Sequence, residues 1–436
     1  MVTRRSMPQS DITGTGIMQI HDFTEQHPIL DVDHVRQEFP ILGRRLHDNR
    51  PLVYLDNAAT TQTPQTVLDA MDDYYHRMNA NIHRGIHSLA EEATQAFENA
   101  RKHVQRFLNA ADSREIVFTR GATESLNLVA NVFVRSEMRP GDEVIVSEME
   151  HHANIVPWQL LADTHGIVIR VIPVTEQGEL DMAAYRALFS ERTKLVAVTH
   201  VSNALGTINP VAELARIAHE RGAAIVVDGA QAAPHQPVDV QALDVDFYAF
   251  SAHKVYGPTG IGALYGRLDW LEQLPPWQGG GEMIKRVSFD RGTTFADPPH
   301  KFEAGTPAIA EAIGFDRALQ WVERYGLDVI SDWEQHLLLN ATEQLQTIDG
   351  LRIIGNAEHK AGVISFVVDG AHAQDIGLLI DQLGVAIRTG HHCAQPVLRR
   401  FGLEATCRAS FALYNTPAEI DTFVSALRRV IDMVRG

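Results

Sequence analysis

The chain has 436 residues, 45% of them apolar and 21% charged, and a formal net charge of −17. That length exceeds one ordinary core and points to two domains, or to a large one with an appendage. The acidic balance argues against nucleic acid or an anionic membrane surface as the main partner. Only two cysteines occur, Cys393 and Cys407, which offers no disulfide framework and fits a reducing cytoplasm. No apolar run approaches the ~20 residues needed to span a bilayer.

Residues 1–30 contain Arg4-Arg5 but no apolar segment of a secretory signal, and are expected to form a mobile tail. Val32, Val35 and Phe39 space a helix from Val32 to Leu42, and Val53-Tyr54-Leu55 reads as a strand end followed by the small polar turn Asp56-Asn57-Ala58-Ala59-Thr60-Thr61. Helices are predicted over Thr66 to Met78 and Ser88 to Asn109; the second places Ala93, Phe97, Ala100, Val104 and Leu108 on one face. An alternation then begins, with strands at Ile116–Thr119, Glu143–Val146, Ile167–Ile172, Leu195–Thr199 and Ala224–Val227. Helices are expected between them at Thr123–Val134, Ile155–His165 and Val211–Arg221. Strands apolar throughout and separated by helices predict a mostly parallel sheet covered on both faces, the α/β class, whose ligands bind beyond the carboxyl ends of the strands.

Polar clusters fall at those ends: Thr119 to Glu124, Glu150 to Asn154, His200 to Asn203 and Asp228 to Gln231. Singly each could be a capping turn; together on one rim they suggest a site. Phe247 to Phe250 and Ile261 to Tyr265 read as two further strands. Between them lies the turn Ser251-Ala252-His253-Lys254-Val255-Tyr256-Gly257-Pro258-Thr259-Gly260. Beyond Arg291 the pattern changes. A helical region from Ala310 to Ile348, a strand at Val363–Val368, a helix at Ala373–Leu383 and a closing helix from Pro417 indicate a smaller α+β domain. The expected division is 31–50 with 316–436 as the small domain and 51–315 as the large one.

A lysine at a strand end is usually a solvated charge. Lys254 is set among small, hydroxylated and imidazole neighbours with three glycines, which suits a desolvated amine able to form a Schiff base. Pyridoxal phosphate chemistry at such a lysine requires a phosphate cradle, an anion on the pyridine nitrogen, a flat group on the ring and a cation for a substrate carboxylate. Gly121-Ala122-Thr123 at a helix start can supply the cradle, helped by Ser251 and His253. Asp228 can hold the pyridinium, Gln231 can reach the ring hydroxyl, and His151 can stack. Arg388 and Arg408 are candidate carboxylate forks, and Cys393, in a polar loop, is a candidate nucleophile.

Together, Ser251-Ala252-His253-Lys254, Asp228-Gly229-Ala230-Gln231, Met149 to Asn154 and Arg388-Thr389-Gly390-His391-His392-Cys393-Ala394 resemble the SUF-type, group II cysteine desulfurases of the class V aminotransferase superfamily. The resemblance runs from about Asp31 to the C-terminus. It implies a type I fold for pyridoxal 5'-phosphate (PLP), a homodimer, and a SufE- or SufU-like sulfur acceptor protein. It further implies Lys254 as the Schiff-base lysine, His151 on the ring, Asp228 at the pyridinium, Gln231 at the ring oxygen, and Thr123, Ser251 and His253 at the phosphate. Thr306 would reach the phosphate of the neighbouring subunit. Asn203 and Arg408 would take the substrate carboxylate of L-cysteine, and Cys393 its sulfur. Where this family often has Thr after the glycine, the chain has Ala122. A selenocysteine lyase or cysteine sulfinate desulfinase on the same scaffold is the alternative. No metal is expected, since a carrier built on His391, His392 and Cys393 with His83 and His87 would lack any Cys-x-x-Cys pair.

Overall fold

A computed structural model of the chain describes residues 30–435, so the expected tail lies almost wholly outside the described residues. Seven short runs form the main sheet: β1 (Ile116–Thr119), β2 (Glu143–Ser147), β3 (Val168–Ile172), β4 (Thr193–Thr199), β5 (Ala224–Asp228), β6 (Phe247–Ser251) and β7 (Gly262–Gly266). Their spatial order is β1-β7-β6-β5-β4-β2-β3. All neighbours are parallel except β7, which runs antiparallel to both β1 and β6. β2, β5 and β6 are buried along their whole length, as strands covered on both faces must be. β3 lies at the edge, where Val168 and Val171 are exposed and Arg170 interrupts the apolar run.

Helix α1 (Ser88–Phe107) buries Ala90, Ala93, Phe97, Ala100 and Val104 along one stripe, and Asn109, with φ 51°, turns the chain out of it. Helix α2 (Ala122–Glu137) packs between the sheet and solvent, with Leu126, Val129, Ala130 and Phe133 in the core. Leu126, Val129 and Phe133 each contribute roughly 1.5–3 kcal/mol on burial. The expected 32–42 helix is shorter: it stops at Gln37, and Pro40 opens a separate 3-10 turn over Pro40–Gly43, because proline cannot donate to the preceding turn. The expected 310–348 helical region is two helices, α3 (Ile309–Tyr325) and α4 (Leu327–Gln346), parted at Gly326 with φ 87°. A hairpin absent from the sequence reading, β8 (Ile284–Ser288) with β9 (Gly292–Phe295), stands largely in solvent.

A second, antiparallel sheet contains β10 (Leu351–Ile354), β11 (Val363–Val368), β12 (Arg388–Gly390) and β13 (Thr406–Ser410) in the order β10-β11-β13-β12. Its core takes in α4, the closing helix α5 (Pro417–Arg435) and also Val53 and Leu55. The short run Val53–Tyr54 pairs in parallel with Val385–Ala386, carrying the Asp56 turn from this sheet to the rim of the first. From Val32 onward the chain forms one compact unit. Among the described residues no helix is long and apolar enough to cross a membrane.

Candidate active site

Lys254 ends a 3-10 turn, Ala252–Lys254, that follows β6 directly. The turn is held from outside: Thr61 N–H and the Thr60 hydroxyl both donate to His253 O, at 3.1 and 2.9 Å, and Tyr256 N–H donates to Thr61 Oγ1 at 2.9 Å. Burial, with added repulsion from Arg408 and Arg388, lowers the Lys254 ammonium from its ordinary 10.5 to about 8, against the pull of Asp228. Desolvation thus leaves an unusually nucleophilic amine.

The turn opens into a cavity of about 190 Å³. Thr123, His151, Asp228, Gln231, Ser251 and His253 line it with Lys254, and Asn203, Arg388, Arg408 and Cys393 complete the wall. These residues come from the carboxyl ends of β2, β4, β5 and β6, the start of α2, and the second sheet. Thr306 is the candidate that the cavity does not include; it lines a separate space of about 580 Å³ with Thr119, Arg120 and Glu303.

At the start of α2, Gly121 has φ 147°, and a Cβ there would meet Ser251 Oγ at 3.1 Å. Glycine lets the backbone turn at that point so that Ala122 N–H donates to Ser251 Oγ at 2.8 Å, while the N-terminal end of the helix faces the cavity beside Thr123. Replacement of the family's threonine by Ala122 removes a hydroxyl and keeps this N–H. At the opposite wall, Asp228 closes β5 and accepts from Ala230 N–H at 3.0 Å; burial raises its carboxyl, with Lys254 opposing. Gly229 beside it leaves room for the Tyr248 ring, which a Cβ would strike at 2.0 Å. Gln231 donates Nε2 to Ala58 O at 2.6 Å, while its Oε1 is buried without a partner.

His151 accepts from Ala153 N–H through Nδ1 at 3.1 Å. Burial and the nearby Lys254 push its imidazole down to about 3, so the ring is neutral. The preceding Glu150 is fully buried and pushed up to about 8 by burial; it accepts from Asn154 Nδ2 and Thr199 N–H at 2.7 and 2.9 Å and so ties the end of β2 to β4.

Arg408, 2% exposed, lies on β13 opposite Arg388 of β12. It donates Nη1 to Asn203 O and Nη2 to Asp56 Oδ1, each at 3.0 Å, and its Nε is buried without a partner. Arg388 stands 3.9 Å from the other Asp56 oxygen. Sequence reasoning assigned no role to Asp56, which occupies a face of the presumptive carboxylate fork. Its position at the end of the Val53–Tyr54 run was the available signal.

Cys393 is half-buried on the cavity wall, and both it and His392 adopt positive φ, 55° and 53°. Non-glycine residues in that region cost of order 1–3 kcal/mol each and need surrounding restraint. The His392 ring supplies some, buried with Nε2 2.8 Å from Thr406 Oγ1. Asn203 Nδ2 donates to His392 O at 2.6 Å, and His152 N–H donates to Cys393 O at 2.7 Å. The backbone that carries the thiol is thereby tied to the Asn203 and His152 segments.

A layered α/β sheet with a desolvated lysine at a strand end, a helix start and a buried aspartate around one cavity defines an enzyme of the aminotransferase type. Comparison narrows the class: the chain belongs to the class-V aminotransferase family, whose model matches residues 53–423. It is 53% identical over 406 residues to a cysteine desulfurase of Dickeya dadantii, covering 93% of this chain and 97% of that protein. A cysteine desulfurase of Escherichia coli is 49% identical over 402 residues, 92% of this chain and 98% of that one. The crystal structure of the Escherichia coli cysteine desulfurase CsdA superposes with a TM-score of 0.86 at 40% identity, covering 93% of this chain and all of the other.

Proposed function

We propose that this protein is a PLP-dependent cysteine desulfurase, which converts L-cysteine to L-alanine and leaves the sulfur as a persulfide on Cys393. The observation that carries the reading is that one cavity gathers Lys254, Asp228, Arg408 and Cys393. The residues fit the cofactor: the N-terminal end of α2 with Thr123, Ser251 and His253 would hold its phosphate. The unpartnered Gln231 Oε1 would meet the ring hydroxyl, Asp228 the ring nitrogen, and neutral His151 the ring face. When bound, PLP supplies an aldehyde for the substrate amine and a ring that takes up the electron pair left at Cα.

Lys254, as free amine, would accept the Cα proton. Arg408 and Asn203 would orient the substrate carboxylate, with the spare Arg408 Nε as one donor and Arg388 at the mouth; Asp56 yields that face as the carboxylate arrives. The Cys393 thiolate would attack the substrate sulfur: the S–S bond forms, the Cβ–S bond breaks with its electron pair left on the carbon, and that carbon takes up a proton, balancing the one Cys393 gave up, to leave as alanine. The division of labour follows the proposed domains, with 51–315 holding the cofactor and 31–50 with 316–436 carrying Arg388, Cys393 and Arg408.

The SUF-type, group II character rests on the short Arg388 to Pro396 loop. With it we propose a homodimer in which Thr306 reaches the partner's phosphate, a SufE- or SufU-like sulfur acceptor that feeds iron–sulfur cluster assembly, and a cytoplasmic setting. Adding L-cysteine to the purified protein and assaying alanine and sulfide tests the activity. Equimolar alanine and released or bound sulfur is expected; cysteine left unconsumed would refute it.

A further inference from the structure

We propose that His83, Glu98 and His300 form a binding site for a divalent cation of the zinc class, separate from the Lys254 cavity. One ligand atom from each of the three lies within 4.8 Å of the others, and none of the three lines the cavity around Lys254. They come from three segments: the loop before α1, the exposed middle of α1, and the 3-10 turn His300–Phe302.

His83 and Glu98 are each held by a further bond, and the hydrogen bond between them is the one a cation would replace. His83 has φ 66°, and its N–H donates at 2.9 Å to Thr94 Oγ1, one turn of α1 before Glu98. Its Nε2 is 2.9 Å from Glu98 Oε1. Glu98 is oriented from behind by Arg101, whose Nε donates to Oε2 at 3.0 Å, and Arg101 is itself held by Glu303. A carboxylate fixed by a second hydrogen-bond donor is the usual support of a ligating group. The His300 ring meets the His83 ring at 5.1 Å between centroids, 72° between planes.

Charge suits a cation. Glu98, Glu303 and Arg101 together leave one negative charge. Two imidazoles and a carboxylate are a recognised zinc set, with a fourth position for water, and exposed His83 gives solvent access. Binding would clip the loop before α1 to the 300–302 turn.

A competing trio, His152, His391 and Cys393, also brings its ligand atoms within 4.8 Å, so the test removes it. Zinc chloride is titrated into the cofactor-loaded Cys393→Ser protein. The proposal expects one bound zinc per chain, an X-ray absorption first shell of nitrogen and oxygen only, and at least about tenfold weaker binding after His83→Ala or His300→Ala. Melting without zinc shows whether each variant keeps the parent fold. If one does not, Glu98→Gln, which keeps the shape and one acceptor oxygen and removes the charge, takes its place. Unchanged zinc affinity in the folded variants, no zinc bound by Cys393→Ser, or a shell lacking imidazole would overturn the proposal.

Discussion

Cys407 lies within one small sheet and Cys393 just beyond its edge strand, yet the two have opposite surroundings. Cys407 sits within β13, paired to Thr389 and packed in the second core with no exposure. Burial pushes its thiol up to about 12, so it stays protonated and inert. Cys393 lies just beyond β12, in a strained turn on a cavity wall that also carries Lys254 and Arg408. Backbone placement, more than residue type, separates a small core residue from a candidate nucleophile.

The largest expected effect lies on the cavity side. Lys254→Ala should fold but lose visible cofactor absorbance and more than about 10⁴-fold of its turnover, the upper range for a proton-transfer group; alanine production at the parent rate would remove Lys254 from its role. Arg408→Lys keeps charge and loses the planar fork. KM for cysteine should rise about tenfold or more while cofactor colour persists. Cofactor loss with unchanged KM would instead make Arg408 part of the fold.

Protonation sharpens the contrast further. With Lys254 lowered from 10.5 to about 8, the unfolded chain holds a proton between those values that the folded, cofactor-free chain has given up. Stability must therefore rise with pH from about 8 to about 10.5, and the penalty of the buried ammonium is fully felt below that window. Urea unfolding of the cofactor-free protein should show this rise, and Lys254→Ala should lack it. The smallest effect belongs to the other cysteine. Cys407→Ser should keep most activity and lose about 1 kcal/mol of stability, because a hydroxyl replaces a thiol whose nearest polar group is Ala373 O at 3.6 Å. A large activity loss without destabilisation would erase the distinction between the two thiols.

Legibility followed the same division. The strands from Ile116 to Tyr265 were readable within a residue or two, because apolar runs speak directly of burial; the helix expected to end at Val134 runs on to Glu137, and the short helix Met182–Leu188 was not read. The second sheet was less so. Its strand β13 spans Thr406–Ser410, where Thr406, Arg408 and Ser410 are buried polar residues that break the apolar signal. The hairpin β8–β9 has few buried residues, so burial left no pattern to read. Within the site, Lys254, Asp228 and Arg408 stood out through motif chemistry. Asp56 and Glu150 did not, since their partners Arg408 and Thr199 are distant in sequence and known only once the fold is.

The central claim is that Cys393, not Cys407, takes the sulfur. The cofactor-loaded protein mixed with L-cysteine, digested without reductant and examined by mass spectrometry, should carry one added sulfur on the Cys393 peptide and none on that of Cys407. Cys393→Ser should carry none at all. Sulfur on Cys407, or undiminished desulfuration by Cys393→Ser, would contradict the account.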